Sequence, residues 1–477
     1  MEGSFFCMFR RALLFLSLHV LMICFMHQGY AYGVEGKIAS RSVSVSSLLP
    51  SPSCSPSTAK ASGRKSTLEV IHRHGPCSQL VQDLSSLNHT KILLQDESRV
   101  KWIQSRSSNS SNSLEASAVA RLPVESGITI GTANYLVTVG LGTPKKDLTL
   151  IFDTGSPLTW IQCKPCVVSC YNQSDPIFNP LKSSSYANVS CASTACSQLT
   201  SALGRSQCLE STCLYDIQYG DNSSSIGFFA TEKLTISPKE VIDNFTFGCG
   251  ENNQGLFGKA AGLIGLSDNN ISILEQTAAK FGKYFSYCLP SSTSLIGHLT
   301  FGNDSGAPSS VSFTPLSTVR QSSQFYGISI VGISVEGNPL SIPSTVFSNG
   351  GAIIDSGTVI TRLPPTAYSA LRTAVGKAMA NYTTAPAVSL FDTCYDFSNE
   401  TIVLIPSITF SFAKGVDIDL HPSGIFYAEK ASQVCLAFAA NGADSDLVIY
   451  GNTQQKTFEV VYDVAGRKLG FSPNGCF

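Results

Sequence analysis

An apolar run that ends in an aspartate occurs twice in this chain. Residues 148–153 read LTLIFD and residues 351–355 read GAIID, and a hydroxyl residue and a glycine follow each acid. Such runs are typical of strands covered on both faces, and glycine eases a sharp turn after them. A carboxylate buried at that corner without partners would cost several kcal/mol, roughly. Asp153 and Asp355 therefore each need hydrogen-bond donors, an ionic partner or a shared proton.

The surroundings of the two acids are repeated as well. Each acid is followed further along by two large apolar residues and a glycine, in Leu263-Ile264-Gly265 and in Ile449-Tyr450-Gly451. We interpret the chain as a duplicated half, whose two acidic turns can meet on a pseudo-twofold axis. Two carboxyls about 3 Å apart cannot both ionise, so they would share one proton. At mildly acidic pH such a pair offers both an acid and a base.

Six short stretches carry a resemblance to a known family: DTGSPLTW, QYGD, FGCGENNQGLFG, AGLIGL, IIDSGT and IYGN, all between residues 153 and 452. Over about Gly131–Phe477 the chain resembles the pepsin-like aspartic proteases, and more narrowly the plant nepenthesin-like branch. The resemblance implies an all-β, bilobal pepsin-like fold with two pseudo-twofold-related β lobes and few short helices. We expect these segments: a signal peptide at 1–31, a pro-segment at 32–126, an N-terminal lobe with a cysteine-rich insert at 127–309, and a C-terminal lobe at 310–477. We call residues 32–126 the leader and residues 127–477 the body.

The resemblance also implies roles for single residues. Asp153 and Asp355 would be catalytic and would activate a water molecule between them. The residues expected to hold the two acids in place are Thr154, Gly155, Ser156, Ser356, Gly357 and Thr358. The substrate-binding residues are expected in and beneath a flap, at Trp160, Tyr219, Gly220 and Asp221. No metal and no cofactor is expected.

The implied function is a secreted aspartic endopeptidase that hydrolyses peptide bonds at acid pH, with protein or peptide substrates as its partners. The alternative is a catalytically inactive binding or inhibitor protein on the same fold. The chain departs from the family pattern twice: Asn222 replaces a glycine in the flap tip, which concerns specificity, and Pro157 replaces a common acidic residue, which removes one backbone donor near the first catalytic loop. Neither departure removes an essential group.

The N-terminus has the pattern of a secretory signal peptide. Arg10 and Arg11 precede an apolar stretch at 12–26, and small residues lie near Ala31. The stretch is interrupted by His19 and is too short for a confident membrane span. We therefore expect a soluble monomer in the apoplast, rather than in the vacuole or chloroplast, with no membrane association after the signal is removed.

The leader and the body carry opposite net charges. The leader holds 11 Lys and Arg against 7 Asp and Glu, and the body holds 19 against 25. A basic leader would be attracted to a carboxylate-lined cleft and would loosen as carboxyls protonate, although it could also be a solvated linker. Within it, residues 67–72 (TLEVIH) have the pattern of a strand that could pair with the body. The serine-rich stretches at 42–58 and 105–113 are typical of mobile chain.

Twelve of the 16 cysteines lie in the body, which predicts six disulfides in a secreted chain. Seven of the twelve lie between residues 163 and 213, so at least one bond must leave that cluster. The resemblance implies the pair Cys394–Cys435. A zinc site at Cys163 and Cys166 is a weaker alternative, because an oxidising compartment favours disulfides.

Other function classes fit the sequence less well. Some relatives of this branch are described as chloroplast nucleoid proteins, but the acidic body lacks the basic stripe of a nucleic-acid-binding surface. A glycosidase also uses two carboxylates, yet it does not require two copies of one turn. A Ser or Cys nucleophile needs a histidine, and the body contains only His298 and His421, without a nucleophile motif.

The sequence marks few helices. Ser272 and Glu275 have the spacing of a capping box, and Gly282 is a natural terminator, so we expect a helix over residues 272–281. A longer helix is expected after Pro364-Pro365, and a strand over residues 134–144. All of these are expected to be structural.

Overall fold

The computed structural model describes residues 40–55, 66–80, 88–108, 134–219, 223–255, 257–303, 310–319 and 324–476. The expected signal peptide and the flap residues Gly220 and Asp221 lie outside the described residues. None of the helices described is long and apolar enough to cross a membrane.

The described part of the chain is dominated by short strands, with few and mostly short helices. The leader contributes β1 Ser40–Ser44, α1 Val45–Leu48, β2 Thr67–His72 and α2 His89–Ser108. The first half of the body contains β3 Tyr135–Leu141, β4 Lys146–Asp153, β5 Trp160–Gln162, β6 Ala187–Asn188, α3 Thr194–Leu203, β7 Gln207–Leu209, β8 Thr212–Gln218, β9 Ser224–Ser237, β10 Glu240–Gln254, β11 Gly262–Gly265, α4 Ile273–Gln276, α5 Ala278–Phe281, β12 Tyr284–Cys288 and β13 Ile296–Phe301.

The second half contains β14 Ser312–Pro315, β15 Tyr326–Ile328, β16 Ile330–Val335, β17 Asn338–Pro339, α6 Ser344–Gly350, β18 Ala352–Ile354, β19 Thr361–Leu363, α7 Pro365–Ala378, β20 Thr384–Ala385, β21 Cys394–Tyr395, β22 Ile402–Pro406, β23 Ile408–Phe412, β24 Val416–Asp419, α8 Pro422–Ile425, β25 Phe426–Lys430, β26 Gln433–Leu436, β27 Phe438–Ala440, β28 Val448–Tyr450, β29 Glu459–Asp463 and β30 Lys468–Ser472. Two 3₁₀ turns lie at Pro180–Lys182 and Asn452–Gln455. The all-β, bilobal expectation is confirmed.

The duplicated halves build the same small strand arrangement. In the first half β4 lies parallel to β11, and β11 lies antiparallel to β5. In the second half β18 lies parallel to β28, and β28 lies antiparallel to β19. The two apolar residues before Gly265 and before Gly451 thus belong to the strands beside the acids. These strands are buried, which is why their sequences read as continuous apolar runs.

The leader is part of the main sheet. Strand β2 lies between β13 and β3 in a 15-stranded sheet, and it pairs antiparallel with both. Strand β1 pairs with β22 of the second half. The expectation of a pairing strand at 67–72 is confirmed. Only part of the stretches expected to be mobile is described: Ser42–Ser44 belong to β1 and residues 105–108 to the end of α2, while residues 56–58 and 109–113 lie outside the described residues.

The expected helix at 272–281 is divided into two. Ser272 caps α4 by accepting a hydrogen bond from the Glu275 amide, and α4 ends at Thr277. Helix α5 follows and ends at Gly282, whose φ of 70° is the left-handed conformation typical of a glycine cap. The helix after Pro364 and the strand near 134–144 are confirmed as α7 and β3.

The described cysteines are all paired, six pairs in the body and one in the leader. The bond Cys163–Cys249 leaves the cysteine-rich cluster, as its odd number of members requires. Cys394 is bonded to Cys435, the pair that the resemblance implies. The other pairs are Cys54–Cys77, Cys166–Cys170, Cys191–Cys208, Cys196–Cys213 and Cys288–Cys476.

Candidate active site

The two acids lie at equivalent corners of the repeated strand arrangement. Asp153 is the last residue of β4, Asp355 directly follows β18, and both are fully buried. The Asp153 backbone carbonyl accepts from the Leu266 amide at 3.0 Å, and the Asp355 amide donates to the Tyr450 carbonyl at 3.1 Å. Backbone bonds to β11 and β28 therefore fix the position of each acid.

Each carboxylate receives the same pair of local donors. Asp153 accepts from the Gly155 amide at 2.9 Å and from the Ser156 hydroxyl at 2.6 Å. Asp355 accepts from the Gly357 amide at 3.1 Å and from the Thr358 hydroxyl at 2.6 Å. At Asp153 these donors favour the ionised form.

The hydroxyl residues between acid and glycine join the two loops. The Ser356 amide donates to the Thr154 hydroxyl at 2.9 Å, and the Thr154 amide donates to the Ser356 hydroxyl at 3.1 Å. All four groups are buried. This reciprocal arrangement holds the two acidic turns face to face.

The two glycines are required by the close approach of the opposite half. A Cβ on Gly155 would lie 3.1 Å from an Asp355 carboxylate oxygen and 2.5 Å from the Phe325 ring. A Cβ on Gly357 would meet the Arg99 guanidinium of the leader and would lie 2.6 Å from an Asp153 oxygen. Neither glycine has a positive φ. The expectation that Gly155 serves a difficult turn is therefore corrected: its missing side chain, and not its backbone freedom, is what the site uses.

A leader side chain lies between the two acids. Arg99, on α2, donates through Nη2 to Asp153 Oδ1 at 2.8 Å and to Asp355 Oδ1 at 3.0 Å. Its Nε and Nη1 donate to the second oxygens of Asp355 and Asp153, at 2.9 Å and 3.1 Å. One guanidinium thus bridges both carboxylates through four hydrogen bonds, the strongest geometry for such a pair.

Arg99 changes the protonation that the sequence led us to expect. Burial raises the pKa of Asp153, but Arg99, the Ser156 hydroxyl and the Gly155 amide outweigh it, so the pKa is lowered. Burial also opposes the charge on Arg99, yet Asp153 and Asp355 raise its pKa. With the leader in place, a guanidinium thus lies where a proton shared between two facing acids is expected.

Beside the acids a cavity of about 330 Å³ opens beneath a hairpin. The hairpin carries Tyr219, whose amide donates to the Ser223 carbonyl at 2.8 Å. The indole of Trp160 donates to the Tyr219 hydroxyl at 2.8 Å and packs edge-on against Phe257, with ring centroids 4.7 Å apart. Trp160 is fully buried and is thus both a core residue and a support for the tyrosine.

Three side chains of this region were not identified from the sequence: Arg99, Asp96 and Arg362. Apolar residues at 92, 93, 100 and 103 have helical spacing and could have indicated α2. The serine-rich surroundings concealed this signal. Within the described residues, no group of three or more His, Cys, Asp or Glu side chains could hold a metal ion.

Comparison with known proteins finds similar sequences over almost the whole chain. Residues 135–303 match the family model described as xylanase inhibitor N-terminal, and residues 325–473 match the one described as xylanase inhibitor C-terminal. An aspartyl protease family protein of Arabidopsis thaliana is 53% identical over 463 residues, covering 96% of this chain and 97% of the relative. Aspartic proteinase nepenthesin-2 of Nepenthes gracilis is 34% identical, over 85% of this chain and 93% of its own.

Among solved structures, the fold is similar to that of edgp. The TM-score is 0.59 at 21% identity, and the match covers 73% of this chain and 93% of that chain. This similarity concerns the fold alone, whereas the sequence relatives match almost the whole chain. The chain therefore belongs to the plant pepsin-like aspartic protease family.

Proposed function

We propose that the chain is an aspartic endopeptidase made as a self-inhibited precursor, with Asp153 and Asp355 as its catalytic acids and residues 32–126 as its pro-segment. One observation carries the proposal: two buried carboxyls from the duplicated halves converge on one point, and a leader cation occupies that point. Departure of the leader would leave two facing acids without a counterion. Such a pair holds one proton between them.

The reaction follows from that shared proton. The ionised acid takes a proton from a water molecule held between the pair, while the protonated acid donates a hydrogen bond to the scissile carbonyl. Water adds to the carbonyl carbon while the protonated acid transfers its proton to the carbonyl oxygen, so a neutral tetrahedral gem-diol forms and the pair keeps the one proton taken from water. Collapse of the gem-diol breaks the C–N bond, and the leaving amine takes a proton from the pair. Ser156 and Thr358 keep the outer oxygens oriented throughout.

The hairpin over the cavity would complete the site. A substrate in extended conformation would lie between Tyr219 and the two acids, and closure of the flap would exclude water and strengthen the electrostatics beneath it. The bond from Trp160 would hold Tyr219 in the closed position.

We further propose that the protein is secreted and acts on protein or peptide substrates outside the cell. Seven disulfides in the described chain support an oxidising compartment. The relatives named proteases and proteinases support peptide substrates. Activity at acid pH is supported by the need to keep one proton on a buried acid pair.

An inactive binding protein is the second candidate, because the matched family models carry the name of an inhibitor. The intact Asp-hydroxyl-Gly turns in both halves favour the enzyme. The two candidates are separated by incubating the purified full chain at pH 3 to 5 with a denatured protein. We expect fragments from the wild type and none from Asp153→Asn, and a statine-type transition-state mimic should block cleavage. Equal cleavage by both proteins would refute the catalytic assignment.

A further inference from the structure

The leader places a second charged group in the body, one helical turn before Arg99. Asp96 is fully buried. Its oxygens accept from the Val359 amide at 2.6 Å and from the Ile360 amide at 3.2 Å. The Arg362 guanidinium lies 3.0 Å away and forms an ion pair with it. Asp96 thus occupies a pocket made of two backbone donors and a cation.

All three donors belong to the body and are held by it. Val359 and Ile360 follow directly after the turn that begins at Asp355. Arg362 lies on β19, which pairs with β27 and β28. Its Nη1 donates to the Ile360 carbonyl at 2.9 Å, so the guanidinium is fixed independently of the leader. The donor pocket is therefore pre-organised.

Both carboxylates that the structure pairs with Arg362 come from the leader. They are Asp96 at 3.0 Å and Glu97 at 3.8 Å. The Arg362 side chain is only 2% exposed. That burial includes cover by the leader, so departure of the leader would open the cation and the two amides to the cleft without their partner, and polar groups left without a partner in a partly desolvated cleft are costly. A new carboxylate from another chain would restore these interactions.

We propose that the mature enzyme has a subsite for an acidic substrate side chain, formed by Arg362 and the backbone amides of Val359 and Ile360. This inference rests on the proposed peptidase function. In the precursor, Asp96 and Arg99 together occupy the places of a substrate's acidic side chain and of its reacting centre. The protein would thus prefer peptides that carry Asp or Glu close to the cleaved bond.

The spacing limits where that residue stands in the substrate. Three residues along a helix rise about 4.5 Å, whereas residues of an extended peptide advance about 3.3 Å each. The acidic residue is therefore expected one or two positions from the scissile bond. Burial raises the pKa of Asp96 despite Arg362 and the two amides. A subsite open to solvent on one side would carry less of this desolvation cost and would accept an ionised acid more readily.

The test uses acid-activated full chain and internally quenched peptides of one parent sequence. A single Glu is moved through each position from three residues before to three residues after the cleaved bond, and each Glu peptide is matched by its Gln isostere. At pH 5 most Glu side chains are ionised, given an ordinary pKa of about 4.3. We expect a kcat/KM ratio of Glu to Gln of about ten at one position only, as for a charge-assisted hydrogen bond.

Variants assign the preference to the pocket. In Arg362→Met the ratio should fall to about one, and in Arg362→Lys, which keeps the charge but loses the planar fork, it should be intermediate. Arg372→Met is the matched control. Arg372 lies on α7 and forms an exposed ion pair with Asp392, so this variant should keep the wild-type ratio. If Arg362→Met fails to fold, Arg362→Lys decides the question.

The outcomes separate two failures. If the wild type cleaves none of the peptides, the proposed function fails and the subsite falls with it. If it cleaves them without a Glu preference at any position, the subsite alone is refuted and the peptidase stands. A preference that persists unchanged in the folded Arg362 variants would also overturn the assignment.

Discussion

At the scale of single residues, the two acids can lie close together because Gly155 and Gly357 have no side chain. Each glycine faces the carboxylate of the opposite half and the Arg99 guanidinium, so a side chain there would displace the groups that hold the acids together. The sequence predicted the acids and the donors around them because these residues are repeated. It could not predict the reason for the glycines, because their close neighbours come from the other half of the chain.

Gly357→Ala should therefore lower kcat by about a hundredfold, since displacements of about 1 Å in an active site have effects of that size. The new methyl group would lie 2.6 Å from an Asp153 oxygen. Gly376→Ala on α7 is the control, because nothing lies within 4 Å of its Cβ position and the change favours a helix. Both variants are assayed with a quenched peptide after acid activation. Wild-type kcat in Gly357→Ala would contradict this role.

At the scale of secondary structure, the leader is attached through a strand and a helix. Strand β2 was predictable from its apolar pattern, whereas α2 was not. Its apolar face, which includes Leu93 and Ile103, is interpretable only beside the second-half surface on which it packs. The role of Arg99 likewise depends on two acids that lie more than fifty residues away in the sequence. The local sequence pattern was thus enough to predict β2. The role of α2 could not be predicted, because it depends on contacts with residues far away in the sequence.

We expect His72, at the end of β2, and His74, two residues later, to make attachment of the leader sensitive to acid. Burial, together with the nearby His74, Lys456, His89 and Arg73, lowers the pKa of His72. Burial and the neighbouring Arg73 and His89 lower that of His74 to about 3. Groups whose pKa is lowered in the folded state stabilise it above their ordinary pKa, about 6.5 here, and this stabilisation is lost as the pH falls. The lowered pKa of Asp153 also favours release of the leader as the pH falls below about 4. The raised pKa of Asp96 opposes release, because Asp96 takes up a proton more readily in the attached leader.

Replacing His72 and His74 by Gln should therefore move leader release to lower pH, because two groups that charge on acidification are removed. Arg99→Gln should move release to higher pH, because it removes the bridge between the acids. Release is followed by stopped-flow fluorescence in a Trp160→Phe background, where Trp102 of α2, packed near Phe325, is the sole tryptophan. The signal is read before processing begins. Identical midpoints in all three proteins would rule out this account.

At the scale of the whole molecule, the covalent links differ greatly in what they join. Cys288–Cys476 spans 188 residues and ties β12 to the end of the chain. Cys166–Cys170 spans only 4 residues within the insert. Both pairs were predicted as members of a set of six, but their partners could not be assigned from spacing. Pairing depends on which strands become neighbours.

Removing Cys288–Cys476 by paired alanine substitutions should destabilise the protein more than removing Cys166–Cys170. Loop-closure entropy gives about 5 kcal/mol for the long loop and about 2 kcal/mol for the short one. Differential scanning calorimetry of the precursor at neutral pH measures the two decreases in Tm. Equal decreases would mean that the restriction of the unfolded chain is not the main contribution.

The position of β2 inside the main sheet has a consequence for refolding after the leader is removed. If processing excises the leader, it removes an interior strand on which the sheet was assembled. The released enzyme would then keep a fold that formed in the precursor. A denatured sample of it would lack the leader strand and would not refold efficiently. The stability of the processed enzyme would therefore be kinetic: it would depend on a slow rate of unfolding, and not on a reversible folding equilibrium.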